Sequence, residues 1–174
     1  MRNLAEKWPP SPDWTTAVLN TDRISVRTLD GLNQLLVSGD LTAWAQASGL
    51  AGEGVGAGAV ANGDKYMVRI ACDRILAVSE RPLPVTAGWH AAGFAVTVMD
   101  AGLHVFEIKG PGLAGLVAMG TALDPRQASP SASILFAGAG VLFYRFGNPD
   151  RARVHVDRGL APYLWEWLEQ VQVL

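Results

Sequence analysis

The string FEIKGPGLAGL, residues 106–116, sets Gly110, Gly112 and Gly115 in a G-x-G-x-x-G spacing between a strand-like run and a helix-like one. This is the spacing of a dinucleotide loop, in which glycines let the backbone approach a pyrophosphate seated on a helix N-terminus. Three features oppose that chemistry here. The fingerprint belongs to a parallel β-α-β unit, whereas the run before Gly110 reads as half of an antiparallel hairpin. It also calls for an acidic residue about 20 positions on to hold the ribose hydroxyls, and residues 128–140 read ASPSASILFAGAG, with no carboxylate. Pro111 removes an amide hydrogen from the loop that would need donors, and suits the first position of a helix instead. A second corner decides between the readings. Gly39-Asp40-Leu41-Thr42-Ala43-Trp44 keeps the first glycine and lacks the other two. Gly39 and Gly110 are therefore read as tight strand-to-helix corners, and Gly112 and Gly115 as glycines that let a helix lie close to its sheet.

Other chemistry is sparse. His90, His104 and His155 stand apart from any Cys, carboxylate or second His at ligand spacing, and the latter two read as ordinary surface or partly buried strand residues. Cys72 reads as a small buried hydrophobe. Neither a G-x-S-x-G elbow nor a Walker ending after GEGVGAG is present, so residues 51–63 are expected to be a flexible connection. Asp64, Asp73, Glu80, Asp100, Glu107, Asp124, Asp150 and Asp157 are scattered and fall mostly where turns and helix starts explain them. No catalytic, cofactor-binding or metal-binding residue is assigned.

Composition narrows the partners. Of the 174 residues 49% are hydrophobic and 17% charged, which belongs to a folded chain. A formal net charge of −2 offers no basic field for nucleic acid or anionic membranes. The uncharged stretches 82–99 and 127–144 are broken by Pro, Gly and Ser and make poor membrane spans. The start, MRNLAEKWPPSPDW, lacks the apolar core of a secretory signal. A cytoplasmic protein is expected.

The elements that carry these residues show a repeated grammar. Ile24, Val26 and Leu29 and the run Leu35-Leu36-Val37 flank Asp30-Gly31 and read as a hairpin. A helix follows, with Asp40 as cap and Gly49 as left-handed terminator. Strands are expected at Tyr66–Ile70 and Ile75–Val78. The second half predicts a hairpin over Ala95–Met99 and His104–Ile108 around Asp100-Ala101-Gly102, a helix from Gly110-Pro111 to Gly120, strands at Ile134–Ala137, Val141–Phe146 and Arg153–Val156, and a last helix. Val37-Ser38-Gly39 matches Ile108-Lys109-Gly110, and YMVRIACDRILAV matches SILFAGAGVLFYR at a similar offset. The reading is an internal duplication. Two hairpin–helix–hairpin, ferredoxin-like half-units, 21–93 and 94–174, pack as one α+β domain with antiparallel sheets behind an extended arm, 1–20.

Aromatic residues supply the remaining signal. Trp8 and Trp14 in the Pro-rich arm are expected to lie on this protein's own surface or a partner's. In RGLAPYLWEWLEQVQVL, Leu160, Leu164, Trp167, Leu168 and Val171 form an apolar stripe, leaving Tyr163 and Trp165 as anchors for another chain.

The strand-Gly110-Pro111 corner, the helix reaching Ala118-Met119-Gly120, the following Leu123-Asp124, the strand ending at Tyr144-Arg145 and the closing LAPYLWEWLEQ resemble the gamma subunit of heterotetrameric sarcosine oxidase. That subunit is itself similar to part of the folate-binding aminomethyltransferase fold, and the resemblance spans residues 33 to 172. It implies a non-catalytic accessory chain that supports larger flavoprotein subunits oxidising sarcosine or a related N-methyl amino acid. FAD, FMN, NAD and tetrahydrofolate would then sit on those partner subunits and none on this chain alone. The alternative is a stand-alone folate-binding, aminomethyltransferase-like protein.

Overall fold

The computed structural model describes residues 11–124 and 127–171; Trp8 and the first half of the arm lie outside the described residues. Two antiparallel sheets form the body. The larger runs in the order β1 (Val18–Asn20), β2 (Ser25–Thr28), β9 (Leu103–Lys109), β12 (Asn148–Asp157), β11 (Ala139–Phe146), β10 (Ser133–Phe136), with β4 (Val60–Ala61) added parallel to β11. The smaller runs β5 (Lys65–Ala71), β6 (Arg74–Ser79), β3 (Asn33–Gly39), β8 (Phe94–Val98), β7 (Gly88–His90). Helix α1 (Leu41–Ser48) covers one face of the smaller sheet, and α2 (Leu113–Gly120) and α3 (Ala161–Val171) cover one face of the larger. The uncovered faces meet across a third apolar cluster that includes Tyr66, Val68, Leu76 and Tyr144. The result is an α+β sandwich of four layers.

Neither turn signal makes a hairpin. Asp30-Gly31 joins β2 to β3, and Asp100-Ala101-Gly102 joins β8 to β9, yet each of these strand pairs is split between the two sheets. Strand β2 pairs with β9, and β8 pairs with β3. Each crossing strand thus completes the sheet opposite its sequence neighbour. The consequence is a matched strand order, β8-β3-β6-β5 in one sheet and β2-β9-β12-β11 in the other. By partner, β5 and β6 correspond to β11 and β12, one strand further on than the sequence match of YMVRIACDRILAV with SILFAGAGVLFYR implies.

The glycine corners depend on those crossings. Gly39 and Gly110 have φ of 108° and 132°, a region that L side chains avoid. The Gly39 amide donates to the Asp73 carbonyl and the Asp40 amide to Gly93. The Gly110 amide donates to Asp150 and the Gly112 amide to Arg23. A methyl at Gly39 would strike the Gly93 oxygen, and one at Gly110 the Arg23 oxygen. At each corner a helix leaves its strand by pressing against the strand contributed from the other half of the chain. Gly112 does lie close to Arg23 and Ile24, but Gly115 faces open space, so close packing explains one of those two glycines. Pro111 sits in the turn before the Gly112 cap, outside the helix.

Local signals place the helices well. Asp40 accepts from the Thr42 and Ala43 amides, and Gly49 closes α1 at φ 69°, as capping chemistry requires. In α3 the buried residues are Ala161, Leu164, Trp165 and Leu168, so the apolar stripe is turned from the expected one, and Leu160 is exposed. Residues 51–63 are a strap rather than a loose connection. Val55 exchanges backbone bonds with Met67 and Arg69, Ala57 with Ser129 and Ser131, and Ala59 and Ala61 accept from Arg145 and Gly147. Gly56 leaves no room for a side chain beside Ser129. Cys72, in the β5–β6 turn, is exposed.

Candidate functional site between the sheets

A strand buried on both faces cannot leave a polar side chain without a partner. Strand β9 reads LHVFEIK and β12 ends RARVHVD, so residues of one parity point to the helices and those of the other to the smaller sheet. Phe106, Ile108, Val154 and Val156 enter the helix-side core. Glu107, Arg151, Arg153 and His155 take the opposite face.

There His155 anchors a buried chain of hydrogen bonds. Gln34 of β3 donates its Nε2 to the Leu103 carbonyl, and its Oε1 therefore accepts from His155 Nδ1 at 2.6 Å. With the proton on Nδ1, Nε2 accepts from the Tyr144 hydroxyl at 2.7 Å. Tyr144 in turn accepts from Tyr66 at 2.8 Å, and Tyr66 from Arg153 Nη1 at 2.6 Å. The sequence Arg153 to Tyr66 to Tyr144 to His155 to Gln34 is directed, and it stitches β12 and β11 to β5 and β3. Burial, followed by the charge of Arg153, lowers the His155 pKa to about 3. Burial raises both tyrosines, Tyr144 well above the ordinary value. Each member stays neutral near neutral pH except Arg153.

Next to this chain lies a charged group. Glu107 is fully buried. Its Oε1 accepts from Arg27 Nε and Nη2 at 3.1 and 2.9 Å, and its Oε2 from Arg151 Nε at 2.7 Å and from Arg151 Nη2. Arg153 Nε stands 3.9 Å from Oε2, and its guanidinium lies 3.4 Å from the centre of the Phe146 ring. Burial by itself would raise the Glu107 pKa, but hydrogen bonds from Arg151 and Arg27 outweigh it and the net shift is downward. The site can hold charge and position sheets. It presents no activated nucleophile, because each hydroxyl on the chain already donates to a fixed acceptor.

Acid should loosen this joint. Between the ordinary His value of 6.5 and the folded value of about 3, the unfolded chain binds the His155 proton and the folded chain does not, so stability falls as pH falls. Glu107, lowered from 4.5, adds its loss at more acidic pH, as its carboxylate is protonated. His155 alone accounts for on the order of 3 kcal/mol by about pH 4. Urea unfolding at stepped pH measures it: wild type loses stability steadily below pH 6.5, and His155→Gln reduces that slope to the share left by His104, whose pKa is also lowered, down to the carboxylate range. An unchanged slope in the variant would refute the assignment.

Trp14 is partly buried on this protein's own surface, with ring centroids 4.5 Å from His104 and 5.8 Å from both Phe106 and Trp165. Trp165 is 5% exposed and gives its indole N–H to Glu169, so its ring is spent inside the chain. Tyr163 is 49% exposed and donates its hydroxyl to Ala137 in the β10–β11 turn. The most exposed tryptophan among the described residues is Trp89 on edge strand β7, at 74%. His104 is buried, not a surface residue, and its Nε2 meets Thr28 Oγ1. Burial first, then the charge of Arg158, lowers its pKa.

Among the described residues no group of His, Cys, Asp and Glu could hold a metal ion, and no helix is long and apolar enough to cross a membrane. The G-x-G-x-x-G residues Gly112 and Gly115 border a cleft of about 430 Å³ with Ile24, Leu116 and Met119. The amides of Gly110, Gly112 and Leu113 already donate to Asp150, Arg23 and Gly110, so these three are not free to meet a pyrophosphate.

No family model and no curated protein matches this chain. Among solved structures, it is similar to a chain of heterotetrameric sarcosine oxidase from Corynebacterium sp. U-96 in complex with pyrrole 2-carboxylate. The TM-score is 0.67 at 18% identity, over 87% of this chain and 85% of that one. The two share an α+β fold along nearly their whole lengths.

Proposed function

We propose that this chain is a non-catalytic, gamma-type accessory subunit of a multisubunit flavin-dependent sarcosine oxidase or a related N-methyl amino acid oxidase. The observation that carries the reading is the fold match, over 87% of this chain, to a chain of a heterotetrameric oxidase. The hydrogen-bond chain between the sheets supports it, since its members hold the fold and offer no reacting group. In this reading the larger subunits bear FAD, FMN, NAD and tetrahydrofolate, and the assembly is cytoplasmic. The matched strand orders support an origin by duplication, with half-units 21–93 and 94–174 that exchange their first strands, behind the arm 1–20.

The test is activity of the assembly recovered with this chain from its host. Sarcosine, or another N-methyl amino acid, should bleach the flavin under anaerobic conditions. Failure of every such amine to reduce it would overturn the reading. The same matched strand orders favour the second reading, a stand-alone folate-binding protein, and calorimetry separates the two. Heat from tetrahydrofolate on the isolated chain supports the second, and none at millimolar ligand removes it.

A further inference from the structure

On the face of the larger sheet turned away from α2 and α3, there is more positive charge than its one carboxylate uses. Arg27, Glu107 and Arg153 are cross-strand neighbours in one row, and Lys109 and Arg151 in the next, with Lys109 directly opposite Arg151. Four cations therefore surround one carboxylate on a chain whose formal net charge is −2. Glu107 needs no more than two of them, because Arg27 and Arg151 each reach one of its oxygens through Nε and Nη2. Among the described residues the outer Nη1 groups of both arginines and the exposed Lys109 ammonium have no acceptor. Arg153 Nε is buried without a hydrogen-bond partner. Like charges directly opposite one another weaken a sheet, so folding alone does not account for Lys109 facing Arg151.

We infer that the exposed rim of this face is a docking surface for an acidic segment of a protein partner, whose carboxylates bridge Arg27, Lys109 and Arg151. The inference rests on the subunit reading for the partner's existence. The side chains of Arg27 and Arg151 keep 48% and 30% of their surface, and neither they nor Lys109 line any cavity described above. The exposed rim that Arg27, Lys109 and Arg151 form, where the smaller sheet does not cover this face, suits an extended segment, whereas small ligands select concave sites. Paired guanidinium forks match carboxylates bidentately.

The probe is a fluorescent dodecapeptide of alternating Asp and Glu, followed by anisotropy on the full chain at low salt. Wild type binds it, with affinity that falls as salt rises. Lys109→Glu converts a repulsive cross-strand pair into an attractive one, so its melting temperature rises while peptide affinity drops by at least about tenfold. Arg81→Glu, exposed elsewhere, changes neither. Absence of binding by wild type, equal binding by Lys109→Glu, or equally tight binding of a short DNA duplex overturns the inference. In the assembly from the host, Lys109→Glu should release the larger chains more readily. An assembly indifferent to Lys109→Glu overturns the surface and leaves the subunit reading standing, while peptide binding by a chain found alone keeps the surface and removes the subunit reading.

Discussion

Glu107→Gln should unfold at lower urea than wild type by a margin equal to about 3 kcal/mol. The glutamine occupies nearly the same space, so the loss is one of charge. Arg153 would be left buried with no carboxylate near it, and of Arg27 and Arg151 one would keep a neutral amide oxygen while the other would lose its fork and face the amide N–H2. Removing one partner of a buried ion pair costs about 3–5 kcal/mol. The lower end applies because Arg27 and Arg151 keep partial contact with water, which screens their share. The wild-type contribution also vanishes in acid, since a carboxylate lowered from 4.5 stabilises the fold only above its folded value. At low pH the two proteins should therefore converge. A variant as stable as wild type at neutral pH would show that Glu107 is not the charge holding the three arginines.

Gly110→Ala and Gly115→Ala, five residues apart in one motif, should move in opposite directions. At Gly110 the backbone has φ of 132° and a methyl would meet the Arg23 carbonyl, in the bend just before β2. Strain and overpacking together cost on the order of 3–5 kcal/mol. Gly115 lies inside α2 with nothing near its added methyl. Alanine there favours the helix by about 0.5–1 kcal/mol. Neither NAD nor FAD should shift the wild-type melting temperature, although a bound dinucleotide at about a hundredfold over its dissociation constant would add about 2.7 kcal/mol. Equal tolerance at both glycines would remove the argument that Gly110 serves the strand crossing.

How far the fold could be read from sequence follows from what each signal reports. Asp40 and Gly49 act on amides two to four residues away, so their roles were legible. The longer strands were legible for the same reason, through alternation, while the short β1, β4 and β7 carry too few residues to show it. Asp30-Gly31 and Asp100-Gly102 signalled chain reversal, which is local, but not which sheet receives the next strand, which depends on pairings such as Arg27 with Glu107 and Val37 with Val96. Glu107 meets Arg27 and Arg151 at separations of 80 and 44 residues, and no spacing rule reaches that far. A cue was present all the same. HVFEI puts a carboxylate among residues that alternate into two cores, and such a group requires a cationic partner. RARVHV, with Arg151, Arg153 and His155 on one face, was the natural place to look. Trp165 was misjudged because Trp14 and Phe106, far away in sequence, close over it. Cys72 was misjudged because the β5–β6 turn that carries it faces solvent. The strap at 51–63 was hidden because its glycines admit the 127–131 segment, a role that composition does not distinguish from flexibility.

Native mass spectrometry of this chain, tagged and drawn from its host at natural abundance, bears most directly on the subunit reading. The predicted spectrum contains an assembly of larger chains with bound flavin that sheds an 18.5 kDa component on activation. A single species at 18.5 kDa, with no flavin-bearing partner at any salt concentration, would contradict it.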